Sequence, residues 1–290
     1  MANLTGAPPS STILRWTTLI IIAANMAFIA DYNSVGESPT ISDVVAAYGN
    51  AFVPAGFAKA LGAAILGAFL LFYFAALWPR RHRIPVYNKF VVPLALTSIL
   101  ASSWIVAFRH EEIGVATTLV GASVALAGVM FVRVASTQHS GWLRVPFSLH
   151  FAAMTIALLV AATQWLNASG LLTKIPVASD DLAAAFLVTA TAMGGFVALR
   201  YSDFVYPAVI ASGAGAMFIA QRTSDPHIAA EAFVVCVGML AVVVLAAIAM
   251  ARQPQRDPKR EASLRRARRS LRVLGTGWYL MEASSSFMRF

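Results

Sequence analysis

The sequence predicts an all-α fold, a polytopic transmembrane helical bundle of about eight spans. Three observations carry this. The 290 residues are 59% hydrophobic and only 12% charged, with a mean hydropathy of +0.71. Soluble domains are about 45–50% apolar and about 25% charged. Apolar runs long enough to cross a bilayer recur along most of the chain, and a crossing takes roughly 20 such residues. Those runs are continuous rather than alternating, which disfavours a β-barrel.

Helices are expected over about 14–31, 54–78, 89–108, 112–134, 147–168, 182–199, 204–220 and 229–251. The first apolar run follows no basic segment, so it reads as a retained span rather than a signal peptide. The runs at 182–199 and 204–220 are short for a full crossing. With eight spans, both termini share a side with the loops 79–88, 135–146 and 200–203. That side carries Arg15, Arg80, Arg81, Arg83, Lys89, Arg133, Arg144, Arg200 and the basic tail, all but four of the 22 Lys and Arg. The positive-inside bias then puts both termini in the cytoplasm.

Several chemistries lack their residues. The one cysteine, Cys236, lies in an apolar run and reads as a small buried residue. There is no Cys/His array of zinc spacing and no Gly-rich phosphate loop followed by Lys. No Ser/His/Asp arrangement has supporting context, and Asp180-Asp181 reads as charge at a helix N-terminus. A non-enzymatic role is expected, with no metal site.

Three motifs remain. "ISDVVAAYGNAFVPAGFAKALGAAI", residues 41–65, passes from a polar loop into an apolar helix. Pro54 suits a first helical turn, where its missing N–H has no use. Gly56 permits close helix approach. Phe52 and Phe57 lie where aromatic residues anchor a span at the interface. "SSWIVAFRHEEIG", residues 102–114, sets Trp104 near the end of a span. "WLRVPFSLHFAAMTIALLVAATQWLN", residues 142–167, opens a span on Arg144, Pro146, Phe147 and Ser148. In order and spacing these stretches resemble the TspO/MBR family, the tryptophan-rich sensory or translocator proteins, in its long bacterial form. The likeness covers roughly residues 20–170. The Trp that family members carry soon after the Pro-Gly entry is absent here, where the chain reads "FAKALGAAIL".

The resemblance implies a five-helix body with three further spans, in a bacterial inner membrane. It also implies an aromatic-lined pocket, capped by the first loop, that binds a hydrophobic ligand such as a tetrapyrrole for sensing or delivery. The pigment would be a porphyrin, haem or chlorophyll type. Phe52, Pro54, Gly56, Phe57 and Phe147 are the motif positions carried over, and Trp104 is the leading pocket residue. The alternative is a structural or assembly subunit of a pigment-bearing or respiratory complex.

Polar outliers add candidates. Lys59, one to two turns into its span, would snorkel to the interface, pair with Asp43, Glu111 or Glu112, or meet an anionic ligand group. His150 would either bond to a neighbouring helix or ligate a pigment metal. Gln164 and Asn167, about one turn apart, would bond between helices or line the outer end of the pocket. The small residues Gly114, Gly121, Ser123 and Gly128 favour close contacts, within the fold or between protomers of a homo-oligomer.

The chain thus divides into a TspO-like body (1–170), additional spans (171–251) and a basic cytoplasmic tail (252–290). In the tail, Leu264, Ala267, Leu271 and Leu274 recur at helical spacing among many arginines. That pattern fits anionic lipid, at about 1 kcal/mol per basic residue near the surface. Docking on a larger membrane complex is the second reading, and nucleic acid is disfavoured.

Overall fold

The computed structural model describes residues 12–34, 43, 44, 47, 67–72, 90–136, 143–171 and 179–252. Their long elements are all helices: α1 (Thr12–Ser34), α2 (Val91–Arg109), α3 (Ile113–Ala135), α4 (Val145–Ala168), α5 (Ser179–Tyr201), α6 (Val205–Gln221) and α7 (Pro226–Arg252). Residues 67–72 are also helical and fall within the expected second span. Contacts divide the chain into units 1–248 and 249–290; of the second, only the end of α7 is described.

Among the described residues, five helical stretches are long and apolar enough to cross a membrane: Val91–Arg109, Ile113–Ala135, Val145–Ala168, Asp181–Tyr201 and Pro226–Ala251. The protein is a multi-pass membrane protein. The run expected at 182–199 is a full-length helix. That at 204–220 forms the 17-residue α6, which at 1.5 Å per residue reaches about 26 Å, short of a hydrocarbon core of about 30 Å. Large apolar side chains cover the outside, among them Val92, Leu96 and Ile99 on α2, Val188, Phe196 and Leu199 on α5, and Val234, Val237 and Leu245 on α7. Water would drive such faces together; lipid tails solvate them.

Packing between the helices therefore depends on close fit and polar pins. α4 is central, lying against α3, α5 and α6. Gly128 of α3 leaves room for the Phe151 ring, where an added Cβ would sit 3.1 Å from Cε2. Gly114 faces Trp165, and Gly121 faces Leu158. These small residues thus serve the contact of α3 with α4 inside one chain. Thr117 spans the same seam, donating to the Ala161 carbonyl at 3.1 Å. Ser102 of α2 donates to Asn25 Oδ1 of α1. At α4, Tyr206 of α6 donates to Thr155 at 3.0 Å. Other hydroxyls turn back on their own helices, as Ser123 does to Leu119.

The strongest pin is Asp203, 2% exposed in the turn between α5 and α6. Its Oδ1 accepts from Ser148 Oγ at 2.7 Å and from the backbone N–H groups of Val205 and Tyr206 at 2.9 and 3.0 Å. The last two are donors that a helix start leaves unpaired. Its Oδ2 lies 3.3 Å from Arg144 Nε, and Arg144 Nη1 donates to the Tyr201 carbonyl at 2.8 Å. Next to it, Ser202 takes φ +50°, the left-handed turn that reverses the chain.

Breaking one side of a buried pair leaves the other charge uncompensated, at about 3–5 kcal/mol. Asp203→Ala should therefore lower stability in detergent by about that amount. Replacing both partners, Arg144→Met with Asp203→Leu, removes the orphaned charge but forfeits the helix cap. Thermal unfolding should find the double variant closer to wild type than Asp203→Ala; equal or greater loss would show that the charge pair is incidental.

Candidate functional site: the unpaired face of α4

α4 opens with Pro146 in its first turn and carries Phe147, Ser148 and His150 on successive faces of the helix. Ser148 turns to Asp203. Phe147 and His150 meet the helical stretch 67–72, where an aromatic box forms. The Phe147 ring lies 5.1 Å from Phe72, 5.1 Å from Phe90 and 6.1 Å from Phe69. Phe69 is also edge-on to the His150 imidazole at 5.1 Å. All five rings are buried. Edge-to-face pairs add about 0.5–1.5 kcal/mol each beyond area burial.

His150 is 6% exposed, and its Nε2 has no hydrogen-bond partner. The cross-helix bond expected of this histidine is not made through that atom. Further along α4, Gln164 is fully buried, and both its Oε1 and Nε2 lack partners.

The two residues are related by helix geometry. At 100° per residue they lie within about 40° of each other round the axis, and at 1.5 Å per residue about 21 Å apart along it. Ala157 falls between them on the same face, and Ala161 at its edge, where its carbonyl accepts from Thr117 of α3; the face is polar at both ends and lined by small residues in the middle. Its His150 end meets Phe69.

At the Gln164 end, Trp104 is half-buried and packs edge-on to Phe108 at 6.0 Å. Val44, from the expected first loop, is 1% exposed and clusters with Phe108, Ile113 and Ala116, against which Trp104 also packs. This much of the loop folds onto the ends of α2 and α3. Asn167 is half-buried one turn from Gln164.

The predicted residues thus divide. Phe147 and His150 share the aromatic box, Trp104 lies in the separate loop cluster, and Gln164 stands on the His150 face of α4. Phe52, Pro54, Gly56, Phe57 and Lys59 lie outside the described residues. Asp180 and Asp181 fall in the first turn of α5, as expected of charge at a helix start. Among the described residues, no group of His, Cys, Asp and Glu could hold a metal ion. Sequence reading missed Phe69, Phe72 and Phe90, which carry no signal beyond being aromatic. It also missed Asp203, whose place just before an apolar run was a capping signal.

The family model for TSPO-like protein matches residues 13–250. The chain belongs to the TSPO-like family. The match runs past residue 170, through α5 and α6 and into α7. No curated protein and no solved structure matches the chain.

A buried polar atom without a partner costs about 1–3 kcal/mol. His150→Phe removes one and keeps a ring in the box. In the ligand-free protein it should raise stability by up to about that much, read as a higher unfolding midpoint in detergent. A lower midpoint would show that Nε2 already has a partner.

Proposed function

We propose that this TSPO-like membrane protein binds a hydrophobic, largely planar ligand of the tetrapyrrole class along the unpaired face of α4, without catalysis, for sensing or delivery. The observation that supports this most is the pair of buried side chains with unmatched polar atoms on one face, separated by alanines. In lipid, such atoms need partners from protein or ligand. The small-walled stretch between them suits a flat apolar body. The loop cluster of Val44 and Trp104 supplies aromatic surface at the Gln164 end.

The rest of the assignment follows the charge distribution. Both termini are assigned to the cytoplasmic side, because the basic residues concentrate on the side of the tail, and the bacterial inner membrane follows from the family resemblance. The tail is assigned to the anionic lipid surface on the same electrostatic ground. TSPO-like membership carries no requirement for catalysis, and the described side chains present no nucleophile with an adjacent base. Ser148, whose hydroxyl donates to the buried Asp203 carboxylate, is committed to that pin.

Protoporphyrin IX titrated into the detergent-solubilised protein should bind saturably, seen as a shifted Soret band and quenched tryptophan fluorescence. Trp104→Ala should weaken binding by about two- to tenfold, the value of one aromatic contact of 0.5–1.5 kcal/mol. Non-saturable uptake, equal in the variant, would overturn the proposal.

A further inference from the structure

We infer that Gln164 is a specificity residue that reads a paired donor and acceptor on the ligand: a lactam, a primary carboxamide or a protonated carboxyl group. This rests on the proposed ligand-binding face and adds the chemistry at one end of it. A glutamine amide presents a carbonyl acceptor and an NH2 donor side by side. At Gln164 both are unmatched while the residue is fully buried. That combination is unlike the other polar side chains of α4. Ser148, Thr155 and Thr163 each bond to a neighbour or back to the helix. A single ligand acceptor would leave the Gln164 carbonyl orphaned, and a single donor would leave its NH2 orphaned. Only a group with both, spaced as in an amide, satisfies the two ends at once.

His150 makes a different demand. The residue lies about 21 Å away along the axis of α4; its Nε2 is unmatched and its ring packs against Phe69. The two ends of the face therefore differ in kind: an aromatic box with one polar atom, and an amide with two. A ligand bound along the face would be oriented by its amide-like end. Sites built to hydrogen-bond a polar group reject analogues lacking it far more strongly than apolar pockets reject a missing methylene, because the buried partner is left unpaired.

A matched pair of probes tests this: 2-quinolone, a planar lactam with adjacent N–H and C=O, and N-methyl-2-quinolone, which keeps the carbonyl and lacks the donor. Binding is measured by competition with protoporphyrin IX and by thermal shift of the full-length protein in detergent. The wild type should prefer the lactam by roughly tenfold or more. Gln164→Leu, which removes the unmatched amide and keeps the bulk, should fold at least as well and bind both probes equally. Equal affinity of the wild type for both probes, or a preference that survives in Gln164→Leu, would overturn the inference. Failure of both probes to bind would overturn it too. Protoporphyrin binding in the same samples is the separate readout: if it persists, the ligand-binding reading stands without the role of Gln164. If the lactam preference holds while protoporphyrin does not bind, the tetrapyrrole reading falls and Gln164 keeps its role.

Discussion

Lipid offers no hydrogen bonds, so every polar group carried into it must find a partner inside the protein. The structure depends on this constraint more than on apolar burial, because lipid tails are as apolar as the side chains they would replace. It explains why hydroxyls bend back to their own helices, as Thr18, Thr97 and Thr163 do. It explains why the polar contacts between helices, Asn25 with Ser102, Thr117 with Ala161 and Tyr206 with Thr155, sit at packing seams. Asp203 is the fullest case. It satisfies a helix start, a serine and an arginine with one carboxylate, and so joins α4 to the turn between α5 and α6.

Against that background the exceptions carry information. Among the described residues, Glu231 Oε2 on α7 is one; the others, His150 Nε2 and both ends of the Gln164 amide, are buried and unmatched on one face of α4. Small residues elsewhere on the chain bring helices together, as Gly128 does for the Phe151 ring. On this face Ala157 stands between two polar groups that call for a partner, and Ala161 marks its edge with the α3 seam. The distinction between a packing seam and a binding seam lies in whether the polar atoms along it are already paired.

Much of the fold was legible in the sequence because a membrane span announces itself locally. Each described long helix lies within a few residues of an expected apolar run, and Pro146 marks the start of α4 as the "R-x-P-F-S" pattern suggested. Length was the weaker guide. The run at 182–199 extends into the 23-residue helix Ser179–Tyr201, whereas α6 keeps its 17 residues. The site was legible only in part. His150 and Gln164 stood out as polar residues within apolar runs. That they would be unpaired, while Thr155 and Ser148 would not, depends on partners 51 and 55 residues away. No local pattern encodes such pairings. The aromatic box is hidden for the same reason: Phe69, Phe90 and Phe147 come from three separate stretches.

The central claim is that the unpaired face of α4 is the ligand-binding seam, and site-directed labelling tests it most directly. With Cys236 replaced by Ala, a single cysteine is placed at Ala157, between His150 and Gln164, or at Leu199, which is 88% exposed on the lipid-facing side of α5. Both are reacted with a membrane-permeant maleimide, with and without saturating protoporphyrin IX. The account predicts that the ligand slows labelling at position 157 and leaves position 199 unchanged. Equal labelling at 157 with ligand present, under conditions where the porphyrin is bound, would place the ligand elsewhere and contradict it.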